Sequence, residues 1–263
     1  MNPPMLAEVG PLPIYGLDAR SSLQFTGPQA ARMRALLAVS WERCLRDAPD
    51  AQPAATVAVD APGNLQASRE AFHARLTGVT QQVTRRLIEA RLGRLLMFHA
   101  GCVSRPADDL ALAYVAPGRT GKTTLTALLG RCFGYVTDET VGVRPDWTIA
   151  AYPKPLSLRL GADVRVEAGP DSLGLRPTPQ RARLAVLAYL VRDQAEDRVS
   201  VEKPPLLDAV ELLGPQVSGM SRLERPLHLL ARLFEDIGPL RVYHYREASS
   251  LAQVLAEALE NLR

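Results

Sequence analysis

The sequence predicts a mixed α/β fold with antiparallel strands, in which a small α+β segment precedes a larger core. Three observations support this prediction. Helical periodicity dominates residues 28–94, and short apolar strands separated by turns dominate residues 95–151. Between an apolar strand and an apolar helix lies the stretch APGRTGKTT, residues 116–124. The change in pattern predicts a division into residues 1–90 and residues 91–263.

Composition and charge exclude several classes of protein. Of 263 residues, 47% are hydrophobic, and 31 basic against 28 acidic residues leave a net charge of only +3, so no basic tract suited to nucleic acid is present. No apolar run reaches the length of a membrane-spanning helix, and the first residues, MNPPMLAEVGPLP, lack the basic region and the apolar region of a signal peptide. Cys44, Cys102 and Cys132 form no metal-binding or disulfide spacing. We therefore expect a cytoplasmic, bacterial protein with neither nucleic-acid nor membrane partners.

The first 90 residues alternate strand and helix signals. Residues 1–27 predict irregular chain with one or two strands, and residues 28–48 predict a helix that begins near Pro28. ATVAVDAPG (55–63) predicts a strand and a turn, and residues 68–94 predict a second helix with arginines on its solvated face. Three interpretations of this segment remain open: packing on the core, an acceptor site, or a contact in a homo-oligomer.

The core begins with a predicted hairpin. LLMFHAGCV and LALAYV flank the turn SRPADD, and the helix TTLTALLGRC after residue 122 is expected to close at Gly134. The strand YVT should lie beside the strand that precedes APGRTGKTT, followed by strands VGVRP and TIAAYP. Further on, the pattern predicts the strand RLAVLAYLVR, the helix EKPPLLDAVELL, and helices near 222–235 and 249–262 around the strand RVYHY.

The stretch at 116–124 matches the phosphate loop (Walker A motif), with Ala116 in place of the first glycine. Such a loop turns backbone N–H groups toward phosphate oxygens at a helix N-terminus. Lys122 would reach the β- and γ-phosphates, and Thr123 would bind Mg²⁺. The residues expected to hold the nucleotide are Ala116, Pro117, Gly118, Arg119, Thr120, Gly121, Lys122, Thr123 and Thr124.

Asp138 and Glu139 end the YVT strand, immediately after the helix of the loop. Phosphoryl transfer to a hydroxyl needs a carboxylate near the γ-phosphate, so this pair is either a catalytic and metal-binding pair or an ordinary turn. His99 lies in the apolar strand LLMFHAGCV. It is either a core histidine or a neighbour of the carboxylates that promotes proton transfer.

Four segments together resemble the catalytic domain of HPr kinase/phosphorylase and the HPr-kinase-like proteins related to it. They are FHAGCV, APGRTGKTTLTALL, YVTDETVGV and AAYPKPLSLR, and they cover about residues 88–160. The resemblance implies an HPr-kinase/PEP-carboxykinase-like P-loop core that uses ATP and Mg²⁺. Pro155 and Arg159 match the motif that follows the acidic pair, and Arg159 is either a phosphate contact or a surface arginine.

The resemblance also implies roles for the site residues. Lys122 and Thr123 match the loop lysine and the metal-binding hydroxyl. Asp138 matches the first acid of an Asp-Asp pair, which acts as the base toward the acceptor serine. His99 matches the histidine that contacts this acid. Glu139 stands where the family has its second aspartate, so the implied metal ligands are Thr123, Asp138 and Glu139.

Two departures separate the chain from true HPr kinase/phosphorylases. The later Glu-Arg-Gly signature does not occur in residues 160–200, and the family's N-terminal domain is not recognisable, so neither phosphorylase activity nor HPr as the substrate is implied. The leading hypothesis is a kinase that phosphorylates a hydroxyl, a serine of a peptide or protein, including a modified-peptide precursor. Alternatives are a non-catalytic module that senses ATP or ADP and a small-molecule kinase.

Overall fold

A computed structural model describes residues 9–45, 53–64, 68–118, 120–160 and 164–262. The helices are α1 (Ala30–Ser40), α2 (Arg69–Glu89), α3 (Lys122–Leu129), α4 (Leu206–Leu213), α5 (Pro226–Ile237) and α6 (Ala248–Glu260). The strands are β1 (Leu12–Gly16), β2 (Ala19–Thr26), β3 (Ala55–Asp60), β4 (Leu96–Ser104), β5 (Leu110–Val115), β6 (Gly134–Thr137), β7 (Thr140–Val143), β8 (Ile149–Ala150), β9 (Leu156–Leu160), β10 (Val164–Ala168), β11 (Arg183–Arg192), β12 (Ser200–Glu202), β13 (Val217–Ser218) and β14 (Arg241–Tyr245). The predicted mixed α/β class with antiparallel strands is confirmed.

The chain forms two compact units. The first contains Met1–Ala90 together with Lys154–Gly169, and the second contains Arg91–Pro153 together with Pro170–Arg263. The sequence-based division at residue 90 does not anticipate that residues 154–169 return to the first unit. Within the described ranges, no helix combines the length and the apolar character needed to cross a membrane.

The first unit is built on a three-stranded sheet in the order β1-β2-β3. β1 and β2 form an antiparallel hairpin, and β3 runs parallel to β2. α2 begins after Ser68, whose Oγ accepts a hydrogen bond of 3.0 Å from the N–H of Ala71. This cap satisfies one of the helix's unpaired N-terminal donors. α2 ends at Glu89, five residues before the predicted Arg94, and it buries the apolar residues Leu76, Val79, Val83 and Leu87.

The excursion of residues 154–169 forms the antiparallel hairpin β9–β10, which packs on α2. Glu167 is 8% exposed, and its Oε1 accepts hydrogen bonds from Thr77 Oγ1 at 3.0 Å and from Ser157 Oγ at 2.7 Å. A buried carboxylate must be hydrogen-bonded to be tolerated in an apolar interior. Glu167 therefore joins the hairpin to the helix within one polar cluster.

The second unit is a three-layer arrangement around a nine-stranded sheet. The order is β12-β14-β11-β5-β4-β7-β8, and β6 and β13 also pair with β4. The neighbours β5, β11 and β14 run parallel, whereas β4 is antiparallel to β5. α3 and α6 cover one face of the sheet, and α4 and α5 cover the other. Both faces of the central strands are therefore buried, which explains the nearly continuous apolar runs of β5 and β11.

Two sequence predictions in this unit are wrong. α3 ends at Leu129 rather than near Gly134, and the N–H of Gly130 still donates to the Thr126 carbonyl at 2.8 Å. Gly134 instead opens β6, where a Cβ would lie 2.7 Å from Ser104 Oγ and 3.1 Å from the Pro177 carbonyl oxygen, so a larger residue would be crowded there. β6 also pairs with β4 rather than with β5, so β4 separates it from the strand that leads into the phosphate loop.

Candidate active site

The predicted phosphate loop, residues 116–124, follows β5 at the carboxyl ends of the parallel strands. This edge is where open α/β sheets generally bind ligands. Gly121 immediately precedes α3 and has a φ of 93°, in the left-handed region that glycine adopts without strain. Thr120 Oγ1 donates a hydrogen bond of 2.8 Å to the Pro117 carbonyl, which closes the turn. Ala116 is buried at the end of β5, so a small side chain fits this position.

Lys122 is the first residue of α3, and its side chain is buried inside the loop. Its Nζ donates to the Ala116 carbonyl at 2.5 Å and to the Pro117 carbonyl at 3.0 Å. These bonds use two of the three N–H groups of the ammonium. Burial lowers the pKa of Lys122 to about 8, although the charges of Asp138 and Glu139 raise it. The ammonium therefore stays protonated at neutral pH, close to where the loop's backbone can hold phosphate.

Asp138 meets the loop through Thr123. Thr123 Oγ1 donates a hydrogen bond of 3.2 Å to Asp138 Oδ2, and Tyr135 OH donates a long hydrogen bond of 3.4 Å to Oδ1. Asp138 is only 4% exposed and follows the end of β6. β6 pairs with β4, and β4 pairs with β5, the strand that precedes the loop. The carboxylate of Asp138 therefore contacts the first turn of α3 although β6 is not adjacent to β5. The structure thus brings together the predicted hydroxyl and the predicted acid.

His99 lies on β4 beside the acidic pair. The N–H of the next residue, Ala100, donates to the Glu139 carbonyl at 3.0 Å, and His99 is paired with Thr140 across β4 and β7. Burial lowers the pKa of His99 and the Lys122 charge lowers it further, whereas the charges of the acidic pair and a hydrogen bond to the Glu139 backbone raise it. The imidazole is therefore largely neutral at pH 7, with one ring nitrogen able to accept a proton.

Sequence reasoning missed three residues that stabilise the first turns of α3. Tyr114 OH and Thr126 Oγ1 are 2.6 Å apart, and Thr126 Oγ1 also donates to the Lys122 carbonyl at 2.9 Å. Gly101 on β4 makes room for this pair, because a Cβ there would lie 2.2 Å from Tyr114 Cε2. The spacing of Thr126 four residues after Lys122, on one side of a helix, is the sequence signal that could have identified it.

The donor set fits Mg²⁺ in character. Thr123 and Asp138 offer hard oxygen atoms at one place, and Glu139 is half-buried at the next position. Proteins bind Mg²⁺ through one or two carboxylates together with substrate phosphates, rather than through closed cages of side chains. The part of the chain that the structure describes has no group of three or more His, Cys, Asp or Glu arranged to hold a metal ion.

The remaining predicted site residues lie on other parts of the chain. Arg159 lies on β9 of the first unit, at an exposed position paired with Arg165. Arg119 lies outside the described residues. Gly118 and Thr124 are exposed on the loop and on the first turn of α3. The nucleotide-binding role of all these residues stays a prediction.

Comparison with known proteins gives a distant likeness to a solved structure. No protein-family model matches the chain, and no curated protein matches it. Among solved structures, the Hpr(Ser) kinase/phosphatase from Coxiella burnetii is similar with a TM-score of 0.34 and 12% sequence identity, over 62% of this chain and 93% of that chain. At this degree of similarity the two structures share only a distant likeness in fold.

Proposed function

We propose that the protein is an ATP- and Mg²⁺-dependent kinase that transfers the γ-phosphoryl group of ATP to a hydroxyl, a serine of a peptide or protein. The observation that carries this proposal is the 3.2 Å contact between Thr123 Oγ1 and Asp138 Oδ2. A phosphate loop by itself serves hydrolysis and transfer equally well. A buried carboxylate beside the loop's hydroxyl can hold Mg²⁺ in either reaction, and it is also a group that can accept the proton of an acceptor hydroxyl, which transfer additionally needs.

In the proposed reaction, the acceptor oxygen forms a bond to the γ-phosphorus, the bond to the β-phosphate oxygen breaks, and ADP leaves. Asp138 accepts the proton of the acceptor hydroxyl, and His99, which is held neutral, can take up that proton next. Lys122 and the loop N–H groups stabilise the negative charge on the transferred group. Mg²⁺ bound by Thr123 and the acidic pair would neutralise charge on the β- and γ-phosphates.

Incubation of the protein with γ-labelled ATP, Mg²⁺ and a lysate of its source organism tests this function. We expect label in one or a few proteins or peptides, in a phosphoester that survives acid and is cleaved by alkali, as phosphoserine is. The Lys122→Met variant is the matched control, since it removes the ammonium and keeps the apolar side-chain length. Labelling no greater than with this variant would exclude kinase activity on any acceptor in the lysate.

The pH dependence of nucleotide affinity tests the role of Lys122. Its pKa is about 8, so the ammonium loses its proton as the pH rises through that value, and a bound phosphate would raise the pKa. We therefore expect ADP affinity, measured without Mg²⁺, to be constant below pH 8 and to fall by up to about tenfold per pH unit above it. Lys122→Arg should flatten this profile, because a guanidinium stays protonated. Equal profiles for both proteins would show that Lys122 does not contact phosphate.

A further inference from the structure

The strands next to the phosphate loop extend beyond it. Val115, the last residue of β5, is paired with Tyr189 of β11, and Tyr189 is paired with Val242 of β14. β11 and β14 each continue three residues further, to Arg192 and Tyr245. Three residues of a strand span about 10 Å. The carboxyl ends of β11 and β14 therefore extend beside the loop, at the edge of the sheet where open α/β sheets bind ligands.

Tyr245 contacts the loop directly. Its side chain is almost fully buried, and its hydroxyl donates a hydrogen bond to the backbone carbonyl of Thr120. Thr120 is in turn hydrogen-bonded through its own side chain to the Pro117 carbonyl. The last residue of β14 thus holds the turn of the loop at a fixed distance from the sheet.

Arg192 is paired with Tyr245 across the parallel strands β11 and β14, so their side chains point to the same face. Its Nε donates to the Arg246 carbonyl at 3.0 Å, which fixes the guanidinium at the sheet edge. Among the described residues, neither Nη of Arg192 has a hydrogen-bond partner. Its positive charge acts on the Tyr245 hydroxyl, the same group that contacts the loop.

An exposed guanidinium anchored at Nε, with both Nη groups available, is suited to bidentate binding of a phosphate. We propose that Arg192 binds the polyphosphate of the nucleotide and that Tyr245 is the positioning residue that holds the loop beside it. This inference rests on the proposed function, because it assumes that the loop binds a nucleoside di- or triphosphate. It adds Arg192 to the predicted nucleotide-binding residues, among which Arg119 and Arg159 stay untested.

Titration calorimetry with ATP, ADP and inorganic tripolyphosphate tests the proposal. We expect Arg192→Met to weaken all three about tenfold, as the loss of a hydrogen bond to a charged group should, without changing the melting temperature of the free protein. Arg246→Met is the matched control, because it removes a neighbouring exposed arginine that forms an ion pair with the exposed Asp197. Tyr245→Phe should raise KM for ATP several-fold with little change in kcat once ATP saturates.

The possible results distinguish a failure of the Arg192 and Tyr245 inference from a failure of the proposed kinase function. If Arg192→Met binds all three ligands as well as Arg246→Met does, Arg192 is not a phosphate ligand. A Tyr245→Phe variant with an unchanged KM for ATP would show that the Tyr245 contact does not position the loop. If the wild-type protein binds no ATP, or if Lys122→Met binds it equally well, the proposed function itself fails. If tripolyphosphate binding is lost in Arg192→Met but kept in Arg246→Met, the result would support a contact of Arg192 with phosphate rather than with the nucleoside.

Discussion

Replacing Asp138 with asparagine is expected to lower phosphoryl transfer by about 10²–10⁴-fold, the usual contribution of a general base. The amide keeps the shape of the side chain and can still accept the hydrogen bond from Thr123, but it cannot take the proton of the acceptor hydroxyl. Nucleotide affinity without Mg²⁺ should not be lost below pH 7, since Lys122 and the loop amides remain, although the pKa of Lys122 loses the contribution of the Asp138 charge. Single-turnover transfer from ATP to the labelled acceptor, with ADP binding measured separately, checks both parts.

Asp208→Asn supplies the matched control, because it makes the same chemical change at an exposed acid on α4. An Asp138→Asn variant that transfers phosphate at the rate of this control would contradict the kinase proposal. The experiment also separates a kinase from the nucleotide-sensing module considered from the sequence. A sensor should keep its cellular function in Asp138→Asn and lose it in Lys122→Met.

Gly101→Ala should be among the most destabilising single substitutions in the second unit. The new Cβ would lie 2.2 Å from Tyr114 Cε2 and 2.8 Å from Thr126 Oγ1, and both side chains are fully buried. Overpacking of a core costs about 1–3 kcal/mol, and loss of the Tyr114–Thr126 hydrogen bond adds about 1 kcal/mol. We expect the melting temperature to fall by about 5–12 °C, given the usual relation between free energy and melting temperature for domains of this size.

Gly118→Ala is the control for this substitution. It also adds one methyl group to a glycine of the second unit, but there no atom of the described residues, apart from those adjacent in the chain, lies within 4 Å of the new Cβ. Its melting temperature should match that of the wild-type protein. Equal melting temperatures for the two variants would show that Gly101 is not required by the packing of Tyr114 against α3.

The core of the candidate site could be predicted because its determinants are local. Lys122 and Thr123 follow from a contiguous loop motif, and Asp138 follows from its place directly after a strand. Tyr135 is three residues from Asp138, but nothing in its immediate sequence indicates that its hydroxyl points at the carboxylate. Hydrogen-bond partners of buried groups depend on packing, which a residue pattern does not encode.

Non-local pairing explains what the sequence could not reveal. Tyr245 lies 125 residues after Thr120, and their contact follows only once β14 is known to be two strands away from β5. The predicted position of β6 beside β5 was wrong for the same reason. Strand patterns identify strands that are buried, but strand order depends on pairings between distant segments. Arg192 is inconspicuous in the sequence until that order is known.

The hairpin β9–β10 has a consequence for synthesis on the ribosome. The first unit is discontinuous in the chain, because residues 154–169 belong to it as well as residues 1–90. Glu167 of this later segment accepts hydrogen bonds from Thr77 on α2 and from Ser157. During translation, its first 90 residues must therefore wait for the next 79 before their packing is complete. In that interval α2 exposes the surface that later receives β10. A truncated protein that ends at residue 90 would keep this surface of α2 exposed.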